Sequence, residues 1–492
     1  MPRRTIPFLN TGEPVVILGA GRSGISAARL ARFLNHPALL VDEGNDLPAS
    51  ERSELEQRGV RLELGNTITP DWVASQKKVI VSPGIPPRKW AGEDAPVYRE
   101  NVMGELEWAA SMTDIPMAVV GGTNGKSTTS ALLAHFLSAA GEETFLGGNF
   151  GTPLSEMVLD TREGKKRFKA LVVELSSFQA ESLGTLDPWV NLLLNITPDH
   201  LDRYPTFESY KSAKWKAFET QSRESWAVLN GDPRSGVLPA PFHTSRNATF
   251  LVGEEDGEAE SYGTRLILSE DGQRGIVRGS SEISPEPWNT SGYRLLGFGN
   301  LQNLAAGLLG AILFLRRKGH NVSQMKRTIE TALSSFMGLP HRMELVGEYK
   351  GVRFFNDSKA TNVDATRLAL RGFHGGKPSV HLIMGGRDKG APYSPLREEI
   401  RGTVKSIVAI GEARGKIRDA LVGMVPFRMA GSLEDAVKTA SEGTLPGEVV
   451  LLSPACSSYD MFHGYEERGD RFREIVKAWI QSEEARKKGS GR

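Results

Sequence analysis

Lys126 and Ser127 follow a glycine turn, Gly122-Thr123-Asn124-Gly125, and the turn follows the apolar run Met117 to Val120. A helical pattern, Thr128 to Ala140, comes next. A strand, a glycine turn, a lysine–hydroxyl pair and a helix together make a cradle for phosphate. Turn N–H groups and the positive end of the helix face anionic oxygens, the lysine adds a cation, and the hydroxyl reaches a metal. The common eight-residue loop needs glycine five positions before Gly125, where this chain has Val120. The spacing therefore predicts a shorter loop, Gly122-x-x-Gly125-Lys126-Ser127, with ATP as ligand, and argues against an ordinary P-loop ATPase or kinase. The competing reading is a strand-to-helix turn with an exposed lysine.

Two more apolar runs end in polar groups: Ala170 to Val173 at Glu174, and Val190 to Leu194 at Asn195, Asp199 and His200. Strand C-termini line the ligand crevice of an open parallel sheet. That places Glu174 and His200 beside the phosphates, where Mg²⁺ needs oxygen ligands. Taken singly, Glu174 reads equally well as a helix cap and His200 as a structural imidazole. Lys214 shares a helical face with Tyr210 and Phe218 in the segment Phe207 to Thr220. It either snorkels or loses charge and becomes nucleophilic; the residues alone favour snorkelling.

These groups need elements to hold them. Val15 to Leu18 leads into Gly19-Ala-Gly-Arg-Ser-Gly24, a helical pattern to Leu34, and a run ending at Asp42. This G-x-G-x-x-G turn suits a pyrophosphate, and Asp42 suits a sugar hydroxyl; NAD, FAD and a UDP-sugar fit alike. Val79 to Val81 runs into a second turn at Gly84. From Gly338 onward, runs at 352–355, 379–384, 406–410 and 448–452 read as strands. Three of them end in Asn356-Asp-Ser-Lys-Ala-Thr-Asn362, Gly385-Gly-Arg-Asp-Lys389 and Ser453-Pro-Ala-Cys-Ser-Ser458. Three polar turns after strands indicate a site for a small charged substrate, beyond ordinary turn chemistry. Residues 232–288, rich in Gly, Glu and Ser, read as peripheral strands and loops without a site.

The predicted fold class is α/β with three domains. They are a Rossmann-like domain at 1–111, a P-loop ATPase-like domain at 112–337 and a second Rossmann-like domain at 338–492. The length of 492 residues supports about three domains. A net charge of +1 provides no general attraction for nucleic acid or an anionic membrane. Cys456 is the one cysteine, which excludes an internal disulfide, and it reads as a small buried residue. Residues 1–10 lack a signal-peptide apolar region, and no run approaches ~18 apolar residues. The expectation is a cytoplasmic monomer.

The motifs GTNGKST (122–128), ELSSFQ (174–179), NITPDHLDRY (195–204), GLPHRME (338–344), NDSKATN (356–362), GGRDKG (385–390) and LSPACSSYDMF (452–462) resemble those of the Mur ligase family, in this order, over Gly19 to about Arg468. The resemblance implies an amide ligase that spends ATP to add D-glutamate to UDP-N-acetylmuramoyl-L-alanine through an acyl phosphate. It assigns Gly21, Arg22, Ser23, Asp42, Gly84, Asn149 and His200 to the UDP-substrate. It assigns Gly122, Thr123, Asn124, Gly125, Lys126, Ser127, Thr128, Asn300, Asn303, Arg342 and Asp357 to ATP. Lys359, Thr361, Lys389, Ser458 and Tyr465 fall in the amino-acid pocket. Ser127, Glu174, His200 and Lys214 serve the metal, two Mg²⁺ ions, with Lys214 carbamylated by CO₂. Lys126, Glu174, His200 and Lys214 are the implied catalytic set. Two positions depart from the pattern: Tyr465 is often Phe, and Pro198 stands where an acid is common.

Three rivals make different demands. A nicotinamide oxidoreductase would use the first glycine turn but leaves the Lys126 loop unexplained. A regulatory P-loop switch would turn over ATP slowly, without amino-acid stimulation. A folylpolyglutamate synthase lacks a first domain like Gly19 to Gly84.

Overall fold

The computed structural model describes residues 8–92, 100–200, 203–238, 246–253, 264–268, 274–278, 288–295, 297–373 and 377–489. Residues 1–7, Leu201 and Asp202 of the 195–204 motif, and most of 254–287 lie outside them.

Three sheets organise these residues. The first holds β1 (Val15–Leu18), β2 (Ala38–Asp42), β3 (Arg61–Leu64), β4 (Val79–Val81) and β5 (Val102–Gly104). It is parallel throughout, in the order β3-β2-β1-β4-β5. The second holds β6 (Met117–Gly121), β7 (Thr144–Gly148), β8 (Ala170–Glu174), β9 (Val190–Leu193), β10 (Trp226–Asn230), β11 (Asn247–Val252), β12 (Thr264–Leu268), β13 (Arg274–Arg278) and β14 (Trp288–Asn289). Its order is β14-β13-β12-β11-β10-β9-β6-β8-β7, with antiparallel pairing at β12-β13 and β13-β14. The third holds β15 (Glu344–Tyr349), β16 (Val352–Asn356), β17 (Val380–Gly385), β18 (Val404–Ile410), β19 (Phe427–Met429) and β20 (Val449–Leu452). Its order is β15-β16-β20-β17-β18-β19, antiparallel only at β15-β16.

The central strands are short apolar runs because both faces are covered. Every residue of β1, β8 and β20 is buried. The runs read as strands in the sequence match these strands within a residue or two. The edge strands β3, β5, β15 and β19 were not anticipated. They are short or carry exposed charges, as edges do. Residues 232–288 do contain peripheral strands, and their described part extends the second sheet.

The described residues form two compact units. One contains the first two sheets, Met1–Gly292 with Asn303–Leu333; the other contains Tyr293–Gln302 with Ser334–Arg492. In the second unit Gly372 packs so closely on Gly297 that a Cβ would stand 2.4 Å from the Gly297 Cα. That contact keeps Tyr293–Gln302 with the third sheet. Helix Phe298–Arg317 has the length and apolarity of a membrane span, but 72% of its apolar window is buried inside the protein. Its composition is that of a core helix.

Candidate active site

In the second sheet β6 lies between β9 and β8, the point at which strand order reverses. Loops after these strands must converge there. The loop after β6 is the glycine turn, and helix Lys126–Ala139 starts directly behind it. Gly122 and Gly125 take φ of +141° and +85°, values a side chain would resist. A Cβ on Gly125 would also meet Asn303 Oδ1 at 2.3 Å. Gly125 is the N-cap and has no side chain to cap the first turn. Ser127 and Thr128 are buried. Lys126 Nζ donates to the Gly122 and Thr123 carbonyls at 2.9 and 2.7 Å. Thr129 Oγ1 donates to Asn303 Oδ1 at 3.2 Å, tying helix Phe298–Arg317 to this helix.

Asn195, just past β9, grips the same turn. Its Oδ1 accepts the N–H groups of Thr123 and Asn124 at 3.1 and 2.7 Å, and its Nδ2 donates to Asn124 O at 3.1 Å. Its own carbonyl accepts Thr123 N at 2.9 Å. The Thr123 hydroxyl lies 2.9 Å from Tyr210 OH and accepts Thr197 N at 3.1 Å.

Lys214 does not snorkel. It is 6% exposed, its Nζ donates to Gly122 O at 2.7 Å, and the ammonium position lies 4.7 Å from the Tyr210 ring centroid. Burial, then the charge of Lys126, holds its pKa well below the usual lysine value, against the pull of Asp199 and Glu174. Glu174 is not a helix cap either. Ser176 caps the short helix Ser177–Ala180, with Gln179 completing the capping box. Glu174 Oε1 accepts from Asn149 Nδ2 at 2.7 Å, while buried Oε2 has no hydrogen-bond partner among the described residues. His200 is not a sealed structural imidazole, since its side chain is 39% exposed. It sits edge-on to Phe178 at 4.8 Å and takes φ of +54°, a strained geometry for a residue with a Cβ.

In the first sheet Gly21 precedes helix Arg22–Phe33 without a side-chain cap, and Arg22 is exposed in the first turn. Gly24 packs on the turn so tightly that a Cβ would stand 1.8 Å from Gly19 O. Both Asp42 oxygens accept main-chain N–H groups, from Ala20 at 2.6 Å and Gly44 at 2.7 Å. Asp42 therefore braces the glycine turn, a task its sequence position did not reveal. Arg203 pairs with Glu181, lies over the Phe178 ring, and donates to Gly84 O at 3.4 Å. It thus connects the His200 loop with the turn after β4.

In the second unit the three polar turns converge on Arg468, which the sequence reading missed. This arginine is 1% exposed and has no carboxylate partner among the described residues. It donates to Ser358 Oγ and O at 2.9 Å each, and to Cys456 O at 3.2 Å, Ser457 O at 3.3 Å and Gly385 O at 3.5 Å. Burial lowers its pKa to about 10. Lys359 Nζ lies 3.6 Å from the Tyr465 ring centroid, a cation–π contact. Ser458 is buried, Thr361 half-buried and Lys389 exposed. Asp357 is buried, accepts Ser453 Oγ at 2.9 Å and Met343 N at 3.3 Å, and burial raises its pKa to about 7. Arg342, half-buried, is the cation nearest in effect. His341 and Met343 on either side of it take φ of +63° and +45°. Asn300 O accepts the Tyr293 hydroxyl at 3.2 Å. Cys456 is buried, as expected.

A chain with a phosphate-type loop at the switch point of one mainly parallel sheet, and polar turns gathered at the strand ends of another, has the parts of an ATP-dependent ligase. The chain belongs to the Mur ligase family: the pattern of the Mur ligase middle domain matches residues 120–311, and that of the Mur ligase glutamate ligase domain matches residues 341–456. It is 38% identical over 471 residues to the UDP-N-acetylmuramoylalanine--D-glutamate ligase of Geobacter metallireducens, covering 95% of this chain and 98% of that one. It is 37% identical to the Myxococcus xanthus protein of the same name, covering 95% and 99%. Among solved structures it is similar to the MurF ligase of Thermotoga maritima in complex with ADP, with TM-score 0.59 and 17% identity, covering 91% and 96%. A pseudomurein peptide ligase type C from Methanothermus fervidus aligns with TM-score 0.57 and 16% identity, covering 95% and 99%. At these identities the structural likeness concerns the fold alone.

Proposed function

We propose that the chain is the ATP-dependent ligase that joins D-glutamate to UDP-N-acetylmuramoyl-L-alanine in peptidoglycan precursor synthesis. The observation that carries this reading is 36–38% identity to ligases of that name along nearly the whole chain. In this reading 1–111 takes the UDP-substrate, 112–337 takes ATP and 338–492 takes the amino acid, in a cytoplasmic monomer.

A carboxylate is a poor electrophile, so the reaction must first give it a leaving group. An oxygen of the alanyl carboxylate attacks the γ-phosphorus of ATP, the bond to the β,γ-bridging oxygen breaks, and ADP leaves behind an acyl phosphate. The amine of D-glutamate then attacks the acyl carbon. The tetrahedral adduct expels phosphate, the nitrogen loses its proton, and the amide remains. Two anions must meet in the first step, and fixed positive charge lowers that barrier. Lys126 and the N-terminus of helix Lys126–Ala139 supply it from the protein.

The residues fit a magnesium site. The buried Glu174 Oε2 has no hydrogen-bond partner among the described residues, and a cation would supply one. Glu174, Ser127, His200 and a carbamate on Lys214 would hold Mg²⁺, which, when bound, neutralises phosphate charge. Burial lowers the pKa of Lys214, which favours the neutral amine that reacts with CO₂, forming an N–C bond and releasing a proton. Asn303 against Gly125 supports a place for it beside the nucleotide, and Asn300 is assigned to the same ligand. Asp357 and Arg342 are assigned to the same ligand from the third sheet. Lys359, Thr361, Lys389, Ser458 and Tyr465 form the D-glutamate pocket, with the Tyr465 ring fixing the Lys359 ammonium. Gly21, Arg22, Ser23, Asp42, Gly84, Asn149 and His200 receive the UDP-substrate.

The test is phosphate release from ATP with UDP-N-acetylmuramoyl-L-alanine and each of several amino acids. D-Glutamate alone should stimulate it strongly. Stimulation by another amino acid, or product formed without ATP consumption, overturns the reading.

A further inference from the structure

The short glycine turn has a structural problem. It closes between β6 and helix Lys126–Ala139 with only Thr123 and Asn124 between its two glycines. A turn this small cannot satisfy its own N–H and C=O groups internally, and unsatisfied main-chain groups at a partly buried site are costly. The structure solves this from the neighbouring strand. Asn195, immediately beyond β9, accepts Thr123 N and Asn124 N through Oδ1 and donates to Asn124 O through Nδ2. Its main-chain carbonyl accepts Thr123 N as well. A planar amide is well suited to this, since it carries an acceptor and a donor side by side. A carboxylate lacks the donor, and a hydroxyl lacks the reach for all three bonds.

The consequence concerns the ligand. With the N–H groups of Thr123 and Asn124 turned to Asn195, the helix start behind Gly125 supplies the positive end that an anion at this loop would meet. The same geometry holds the Gly122 carbonyl on Lys214 and Lys126. We infer that Asn195 is a positioning residue of the phosphate loop: its side-chain amide takes the place of missing loop residues and sets the affinity for the triphosphate. Asn195 touches neither reacting group; it acts through the conformation of Thr123 and Asn124. The inference rests on the proposed use of ATP.

The experiment uses the full chain with Asn195→Ala. ATP dissociation constants come from calorimetry, KM values for all three substrates from phosphate release, and amide hydrogen exchange is followed over 122–125. The expected result is at least tenfold weaker ATP binding, KM for D-glutamate and the UDP-substrate within twofold of the parent, and faster exchange at Asn124, while Thr123 N keeps its bond to the Asn195 carbonyl. A general structural role would move all three KM values together and leave the Asn124 amide protected. Either that outcome or parent-like ATP affinity overturns the inference. Should the alanine chain not fold, Asn195→Asp, which keeps both acceptor bonds, carries the same test with a three- to tenfold loss expected and parent-like affinity again decisive against it. A parent chain that binds no ATP would instead overturn the proposed function.

Discussion

Lys214 Nζ and the Gly122 carbonyl oxygen are 2.7 Å apart, although 92 residues separate them in the chain. The contact puts a buried amine against the phosphate loop, with Tyr210 beneath it. Lys214→Ala should therefore cut ligase activity by about 10²- to 10³-fold. Small carboxylates should restore part of it by standing in for the proposed carbamate. Full activity of this variant without additives, measured by phosphate release, would refute the carbamate role.

Lys126 lies at the start of the loop's helix and points at the loop carbonyls of Gly122 and Thr123. In the proposed reaction Lys126→Ala removes the cation assigned to the developing phosphate charge. ADP formation should fall about 10³-fold, with the melting temperature little changed. A loss below tenfold would mean that the transferred charge is neutralised elsewhere.

Gly24 offers a test of the first sheet. A Cβ here would stand 1.8 Å from Gly19 O, and main chain cannot yield as a side-chain tip can. Gly24→Ala should deform the glycine turn and raise KM for the UDP-substrate at least tenfold, leaving KM for ATP near the parent value. An unchanged KM for the UDP-substrate would remove this turn from its site.

Asp357 carries a pH signature. Its folded pKa is raised by burial from 3.8 to about 7, so between those values the folded chain holds a proton that the unfolded chain has released. Stability contributed by this group is present at low pH and falls as pH rises from about 4 to about 7. The effect is on the order of a few kcal/mol. Asp357→Asn should remove this slope and be more stable than the parent at pH 8. Melting temperatures across pH 5 to 8 check it; parallel curves for the two proteins would be the contrary result. Burial pushes the Glu142 pKa up, but hydrogen bonds from Lys318 and His320 outweigh it and hold the pKa below the usual value; this group works in the other direction and is common to both proteins.

Arg468 binds three turns at once through carbonyls and a hydroxyl. Arg468→Ala would leave several buried carbonyls unsatisfied, at a cost of roughly 3 kcal/mol or more. Arg468→Lys should recover little, because an ammonium cannot span the same fork of partners. Urea unfolding of the two variants measures this; a loss under about 1 kcal/mol for the alanine variant would contradict it.

Much of the site was readable in the chain because its requirements are local. Gly122 and Gly125 must be glycine for backbone reasons that operate within four residues. A lysine and a hydroxyl must open the next helix to serve a phosphate. Apolar runs such as Val15–Leu18 and Ala170–Val173 state burial on two faces wherever they are placed. The order of motifs from 122 to 462 then pointed to one family.

Other features exist only once the chain has packed. Lys214 read more readily as a snorkelling side chain, since helical spacing tells which residues share a face but not how deep that face lies. Glu174 read equally well as a helix cap until Ser176 was found in that role. The bracing task of Asp42 depends on where the loops after β1 and β2 come to rest. Arg468 meets Ser358 and Gly385 from 110 and 83 residues away. Asn195 reaches Asn124 across 71. Turn chemistry and periodicity are short-range and are therefore written in the sequence. Depth of burial, and the partner that a buried polar group finds, arise from contacts between distant segments, and only the tertiary structure decides them.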